Sequence, residues 1–424
     1  MDELVLVMGD TVAGSIERLR DGRLRLRYEE AYRADATATP LSIALPLDEP
    51  EHGDARITPW LWGLLPDNPA VIARWARHFQ VAASSPFALL STPVGEECAG
   101  ALRLVRPERL DAALTGAGGI DWLDGDALEA RLRELRQDAT AWLGQGFSGR
   151  FSLAGAQAKI ALVERDGRWG ESRGAEPTTH ILKPPIAGLE AHDLNEHLCL
   201  DAARRAGLVV ASSAIVRFGD ESAIAVQRYD RRRVGDRTVR IHQEDLCQAL
   251  GLHPDRKYQA DGGPGPAEVA ALLRSALDEA EAIDAVERFA DALIWNWLIA
   301  GTDAHGKNHA LLLAGSDVRL APLYDLASAL PYAVHERDLR FAMKIRDYRV
   351  HVEADPWPAV ARELGLDPEW LAVRARELAA RAPDAFADAA RAEAIGAIAS
   401  DLPTRLVDLV AARCARGARV LGAA

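Results

Sequence analysis

At 424 residues the chain exceeds what one hydrophobic core usually fills, so two or three domains packed around a cleft are expected. Hydrophobic residues at 49% and charged residues at 27% exclude a disordered chain, and a net charge of −13 opposes direct binding to the phosphate backbone of nucleic acids. Four cysteines, Cys98, Cys199, Cys247 and Cys414, with no C-x-x-C pair, give no zinc or disulfide framework and suit a reducing cytoplasm.

The N-terminus, MDELVLVMGDTVAG, carries acidic residues and an early glycine, so it lacks the basic and apolar regions of a signal peptide. No apolar run approaches the roughly 20 residues of a membrane span. Short strands are predicted at Leu4–Met8, Ser15–Leu19 and Leu24–Tyr28, and the β-rich module continues through LSIALPL, Leu41–Leu47. Apolar residues at helical spacing from Trp60 onward predict a helix that closes the sheet, and SPFALLSTPVGEECAGALRLV a helical turn and a last strand near Gly100–Val105. Residues 1–106 thus form one module. Residues 107–146 read as a helical connector, with DGDALEARLRELRQ an amphipathic helix capped by Asp124 or Asp126. Residues 147–232 are strand-rich, with strands at Phe151–Leu153, Lys159–Val163, Thr179–Lys183, Ser213–Phe218 and Ser222–Gln227 and a helix at Leu194–Ala206. From 233 to 424 the pattern is helical, and DGGPGP at 261–266 is the most conspicuous loop. Arg228, Arg231, Arg232 and Arg233 read as a solvated hairpin turn or as a basic patch toward a partner.

The segment that carries chemistry is TDAHGKNHALLLAGSDVRLAPLYDLASALP, Thr302–Pro331. A helix ends near Gly301, so Asp303 enters a loop in which Asn308 stands five positions later. HALLL and VRLAPLY then pair about the Gly315-Ser316-Asp317 turn and carry Asp325 back beside that loop. One carboxylate to orient an attacking hydroxyl, with an Asn and a second Asp to hold Mg²⁺ against phosphates, is the logic of phosphoryl transfer. Alone, DAHGKN also fits a polar helix-to-strand connection; the returning Asp325 favours the site. Lys307 inside the loop would offset phosphoryl charge, and His305 is a phosphate neighbour, whereas His180, His242 and His309 read as local or core residues.

In GRFSLAGAQAKIALV, Gly149–Val163, small residues join two strands, and their amides either cradle phosphates or merely turn the chain. Lys183 in THILKPP faces a lobe junction, where a lysine pairs with phosphates or is simply solvated; Glu196 or Glu190 would hold it. Gln227–Tyr229 in AIAVQRYDRR reads as an adenine-binding hinge or as an ordinary interdomain strand.

Taken in order, LSIALPL, WGLLPDN, FSLAGAQAK, THILKPP, AVQRYDR, QEDLCQALGL, KYQADGGPG, TDAHGKN and PLYDLASALP resemble the HipA toxin kinases of bacterial type II toxin–antitoxin systems over nearly the whole chain. The resemblance implies an α+β, two-lobed protein-kinase-like (PI3/4-kinase-like) fold with a β-rich N-terminal module and an α-rich C-lobe. It implies ATP and Mg²⁺ as cofactors, Asp303 as catalytic base, Asn308 and Asp325 as metal ligands and Lys183 as the phosphate lysine. Ala154, Gly155, Ala156, Gln157, Ala158 and Lys159 would form the phosphate loop and Gln227, Arg228 and Tyr229 the hinge. His305, Gly306, Lys307, Asn308 and Tyr324 would complete the nucleotide site. Ser152 matches the serine that family members autophosphorylate, after which the loop is ejected. Gln227 and Ala158 stand where the family carries glutamates, the second leaving Lys159 without a neighbouring carboxylate. The implied partners are an aminoacyl-tRNA synthetase substrate, the glutamyl enzyme above all, and a small DNA-binding, HipB-like antitoxin that would bring this acidic chain to DNA only indirectly. A catalytically silent kinase-shaped corepressor and a metal-dependent phosphatase or nuclease are the competing readings.

Overall fold

In the computed structural model, which describes residues 2–115, 118–144, 151–350 and 352–422, alternating apolar and polar residues at the N-terminus build an antiparallel sheet. Its strands are β1 (Asp2–Met8), β2 (Thr11–Arg18), β3 (Leu24–Tyr28), β4 (Glu51–Gly53) and β5 (Leu102–Val105), in the order β4-β3-β2-β1-β5. Leu4, Leu6, Ile16 and Leu26 enter the main core from one face, while Val5, Val7 and Val105 pack under a short helix on the other. LSIALPL does not extend this sheet. It makes only a Ser42–Leu45 bridge, because Ser42 Oγ and Ile43 N both donate to the Glu244 carboxylate. The helix expected from Trp60 starts earlier and is two, Asp54–Gly63 and Pro69–Phe79. Pro66 cannot continue the first, and Asn68 caps the second, accepting from Ala70 N ahead of Pro69.

The second sheet holds β6 (Gly119–Leu123), β7 (Ile160–Arg165), β8 (Arg168–Arg173), β9 (His180–Lys183), β10 (Ser213–Phe218) and β11 (Glu221–Gln227), ordered β10-β11-β9-β7-β8-β6. The stretch read as a helical connector supplies β6, paired along β8, and the helix Gly125–Gln137, whose cap is Asp124 and whose Leu128, Leu132 and Leu135 enter the core. Phe151–Leu153 is irregular rather than a strand. The 146/147 boundary and the Gly149 start of the small-residue turn lie outside the described residues. One hydrophobic cluster joins the two sheets, with Leu4 and Leu26 of the first and Trp60 of the helix Asp54–Gly63 in the same core as Leu162, Leu182 and Ala225 of the second and the irregular Phe151.

A hairpin of β12 (Arg231–Val234) and β13 (Arg237–Arg240) leads into the C-terminal region. There β14 (His242–Asp245), β15 (Ala310–Ala314) and β16 (Asp317–Leu320) form a three-stranded sheet, and β17 (Arg340–Ile345) pairs with β18 (Asp347–Arg349). Helices Pro266–Ala276, Glu279–Ile299, Trp357–Leu364, Pro368–Ala390 and Leu402–Val420 surround a second core. Its axis is Glu279–Ile299, capped by Asp278 and buried on nearly every face of its C-terminal half. Trp295 stacks on Phe386 at 5.8 Å and Trp297 meets Trp357 edge-on at 5.6 Å. The helix stops at Ala300, in the left-handed conformation (φ 52°), and delivers Thr302–Asn308 to the junction of the two cores. Among the described residues, no helix is long and apolar enough to cross a membrane.

Candidate active site

The loop between Glu279–Ile299 and β15 closes on one carbonyl. His305 N and Asn308 Nδ2 both donate to Asp303 O, each at 2.8 Å, which leaves the Asp303 carboxylate free to project. Tyr258 Oη donates to Asp303 Oδ1 at 2.9 Å. Burial raises the Asp303 pKa above the ordinary carboxylate value, against the Tyr258 hydrogen bond and nearby Lys257. Tyr258 belongs to KYQADGGPG, a loop to which sequence alone assigns no chemistry. That loop buttresses the site: Lys257 O accepts Gly306 N at 3.1 Å, and a Cβ on Gly306 would stand 2.8 Å from Pro264 Cγ.

The chain beyond β16 returns to Asp325, held at φ 53°. Lys183 Nζ, at the end of β9, donates to Glu196 Oε1 at 2.8 Å and to Asp325 Oδ1. Of the two expected partners it is Glu196 that holds the lysine; Glu190 pairs with Arg405 at 3.0 Å. Burial alone would discharge Lys183, but Asp325 and Glu196 outweigh it and its pKa rises. Burial raises the Glu196 pKa, whereas Lys183 keeps Asp325 below the ordinary carboxylate value in spite of burial.

The segment read in the sequence as a phosphate loop lies near this pair. Ser152 is fully buried, its N donating to Glu97 O and its Oγ to Leu64 O, each at 2.7 Å. Gly155 sits at φ +100°, and a Cβ there would lie 2.8 Å from Lys159 Nζ. Lys159 donates to Ala154 O at 2.9 Å and rests 4.5 Å above the Trp142 ring, so a carbonyl and an aromatic face partner its ammonium. Burial and the nearby Lys183 push the Lys159 pKa down to about 7. Gln157 Nε2 ties the loop to Pro184 O at 3.4 Å, and Ala156 O accepts Asn68 Nδ2 at the same distance.

Other expected residues lie elsewhere. Lys307 Nζ is buried between Asp67 at 3.1 Å and Asp245 at 3.6 Å, so it is committed to these carboxylates rather than to a phosphoryl group. The Lys307 carbonyl accepts Tyr324 Oη at 2.7 Å. His305 is buried edge-on to Tyr258 at 5.1 Å, and burial followed by Lys257 lowers its pKa to about 3, which keeps the ring neutral. The arginine run is only half solvated. Arg228 and Arg231 are buried on Glu97 and Asp230, which reduces the basic patch to Arg232 and Arg233 on β12. Gln227 N donates to Ser212 O at 2.8 Å and Arg228 N to Thr179 O at 2.9 Å, while the Tyr229 ring lies 5.7 Å from Tyr324. Sequence reasoning missed Asp67, Glu97, Lys257 and Tyr258. The signal for Asp67 was its place in WGLLPDN; the others act through contacts more than 40 positions away in sequence.

Asn308 and Asp325 offer hard oxygen donors beside a loop of small residues, a set that fits a divalent cation carrying a triphosphate. Residues 4–105 match the family described as HipA N-terminal domain and residues 151–386 that described as HipA-like C-terminal domain. Y4mE of Sinorhizobium fredii, named as a kinase, is 34% identical over 369 residues, 84% of each chain. The serine/threonine-protein kinase toxin HipA of Shewanella oneidensis is 30% identical over 361 residues, 82% of this chain and 80% of that protein. A chain from the solved complex of HipA, HipB and operator DNA of the Shewanella oneidensis MR-1 toxin–antitoxin system superposes with a TM-score of 0.81 at 26% identity, over 99% of this chain and 97% of that one. With both domain families matched in order and the two-lobed architecture shared end to end, this chain belongs to the HipA family of serine/threonine protein kinases.

Proposed function

We propose that this kinase uses ATP and Mg²⁺ to phosphorylate an aminoacyl-tRNA synthetase, acts as the toxin of a type II toxin–antitoxin system, and silences itself by autophosphorylation at Ser152. The observation that carries the chemistry is Lys183 fixed between Glu196 and Asp325 beside the Asp303–Asn308 loop. A lysine held by a glutamate, next to an aspartate and an asparagine, is the working set of a phosphotransferase. Bound Mg²⁺, held by Asn308 and Asp325, would supply neutralisation of triphosphate charge. Lys183 pairs with the phosphates, and the amides of Ala154–Lys159 close over them. The backbone groups of Gln227–Tyr229 not already bonded within the sheet meet adenine. Asp303, oriented by Tyr258, holds the substrate hydroxyl and accepts its proton.

The burial of Ser152 supports self-silencing. A phosphate adds about two negative charges, which the enclosed site beside Leu64 O and Glu97 O has no means to solvate. The loop therefore leaves its place when phosphorylated, and the phosphate cradle goes with it. The net charge of −13 and the Shewanella complex of HipA with HipB and operator DNA support an antitoxin-mediated route to DNA, in the cytoplasm and at the nucleoid when so bound. A silent corepressor would have no use for the Lys183–Glu196–Asp325 constellation.

The test is incubation with labelled ATP and Mg²⁺, alone and with purified synthetases, followed by phosphopeptide mapping. Wild type is expected to label itself at Ser152 and at least one synthetase, Asp303→Ala neither, and Ser152→Ala only the synthetase. Absence of label from wild type, or undiminished label in Asp303→Ala, would refute the assignment.

A further inference from the structure

The segment Gly63–Asn68, between two helices of the N-terminal module, touches both halves of the nucleotide site. Toward the phosphate loop, Leu64 O accepts Ser152 Oγ at 2.7 Å, Asp67 N donates to Gly155 O at 3.1 Å, and Asn68 Nδ2 donates to Ala156 O at 3.4 Å. Toward the catalytic loop, Lys307 Nζ reaches Gly63 O at 3.4 Å and Asp67 Oδ1 at 3.1 Å. Lys257, whose carbonyl accepts Gly306 N, places its own Nζ 2.9 Å from Asp67 Oδ2. The Asp67 side chain is only 9% exposed. Burial would raise its pKa, yet Lys307 and Lys257 outweigh that and hold it below the ordinary carboxylate value. Asp245, 3.6 Å from Lys307, balances the second cation. The two flanking helices are anchored in the core by Trp60 and Trp75, whereas the link between them, stiffened by Pro66, divides its polar groups between the two loops.

We propose that Asp67 is a positioning residue for phosphoryl transfer, through which the N-terminal module sets the separation of the phosphate loop from the Asp303–Asn308 loop. One loop grips the nucleotide and the other the acceptor hydroxyl, so a misplacement of about 1 Å costs on the order of 10²-fold in rate. The kinetic consequence rests on the kinase reading above; the conformational coupling does not.

The full-length chain and its Asp67→Asn and Asp67→Glu variants are compared by hydrogen exchange and by single-turnover phosphorylation. In Asp67→Asn, exchange is expected to rise together in 152–158 and in 303–308, where the Ser152, Gly306 and Asn308 amides are bonded, with Glu279–Ile299 unchanged. The rate at saturating ATP falls about tenfold or more while the ATP dissociation constant moves less than about threefold, and Asp67→Glu recovers part of the rate. Unchanged exchange in 152–158 overturns the proposal whatever the activity. So does exchange that rises uniformly across the chain, since Asp67 would then serve stability alone. If the exchange pattern responds but wild type transfers no phosphate, the coupling stands and the kinase reading falls.

Discussion

Glu97 shows what a single carboxylate does at a junction. Burial alone would raise its pKa, but Arg240, Arg231 and Arg228 outweigh burial and keep it ionised. It accepts from Arg228 Nη1 at 3.1 Å and Arg231 Nη2 at 2.9 Å, joining the end of the N-terminal module to the exit from β11. Glu97→Gln leaves the buried Arg228 and Arg231, together with Arg240, with Asp230 as their remaining carboxylate and is expected to cost about 3–5 kcal/mol in denaturant unfolding. Its folded pKa is depressed, so its contribution is complete above the ordinary carboxylate range and is lost as pH falls below it. His242 adds to acid sensitivity by a different route. Burial lowers its pKa from 6.5 to about 4, with Nε2 bonded to Leu41 O at 2.9 Å. The unfolded imidazole takes a proton near 6.5 and the folded one does not, so stability falls as pH drops from 6.5 toward 4, by about 1.4 kcal/mol per unit for this group. In His242→Gln that slope is expected to flatten, as measured by urea midpoints across the window. At the site, if Lys183 meets the phosphates as proposed, Lys183→Met is expected to lower the phosphotransfer kcat about 10²–10³-fold.

At the scale of elements, the Ala154–Lys159 loop depends on a backbone that few residues tolerate. Gly155 at φ +100° lies where a side chain is strained, and its Cβ would crowd Lys159 Nζ. Gly155→Ala is expected to cost about 1–3 kcal/mol and to weaken ATP binding, checked by thermal unfolding and nucleotide titration. The hairpin of β15 and β16 was legible because alternation and a Gly-Ser-Asp turn fix register locally, with Leu311 opposite Leu320. The β6 strand was not legible: GIDWL buries none of its residues fully and exposes both Asp121 and Trp122, so its strand character comes from pairing with Trp169–Arg173, some fifty positions away. The ion pairs of Lys307 were not legible for a related reason. Its place in DAHGKN fixes where its Cα lies, but Asp67 and Asp245 decide where its ammonium points.

At the scale of the molecule, the N-terminal module and the first kinase lobe share one core, so neither side can bury its apolar face alone. A fragment beginning at residue 107 would expose Leu128, Leu132, Phe151 and Leu162. It is expected to aggregate or remain unfolded on size-exclusion chromatography and circular dichroism, whereas the full chain is expected to elute as one species and to unfold cooperatively. The sequence by itself determined the local features: the helix that ends before Asp303, the spacing of Asp303 and Asn308, the hairpin that returns Asp325, and the small residues of Ala154–Lys159. Each follows from periodicity, turn chemistry or side-chain size within a few tens of residues. Only the tertiary structure decided which charges meet, that Glu196 rather than Glu190 holds Lys183, that Tyr258 holds Asp303, and that Asp67 spans both loops. Those pairings join residues distant in sequence, and their energies depend on burial and angstrom-scale distance, which no local pattern encodes.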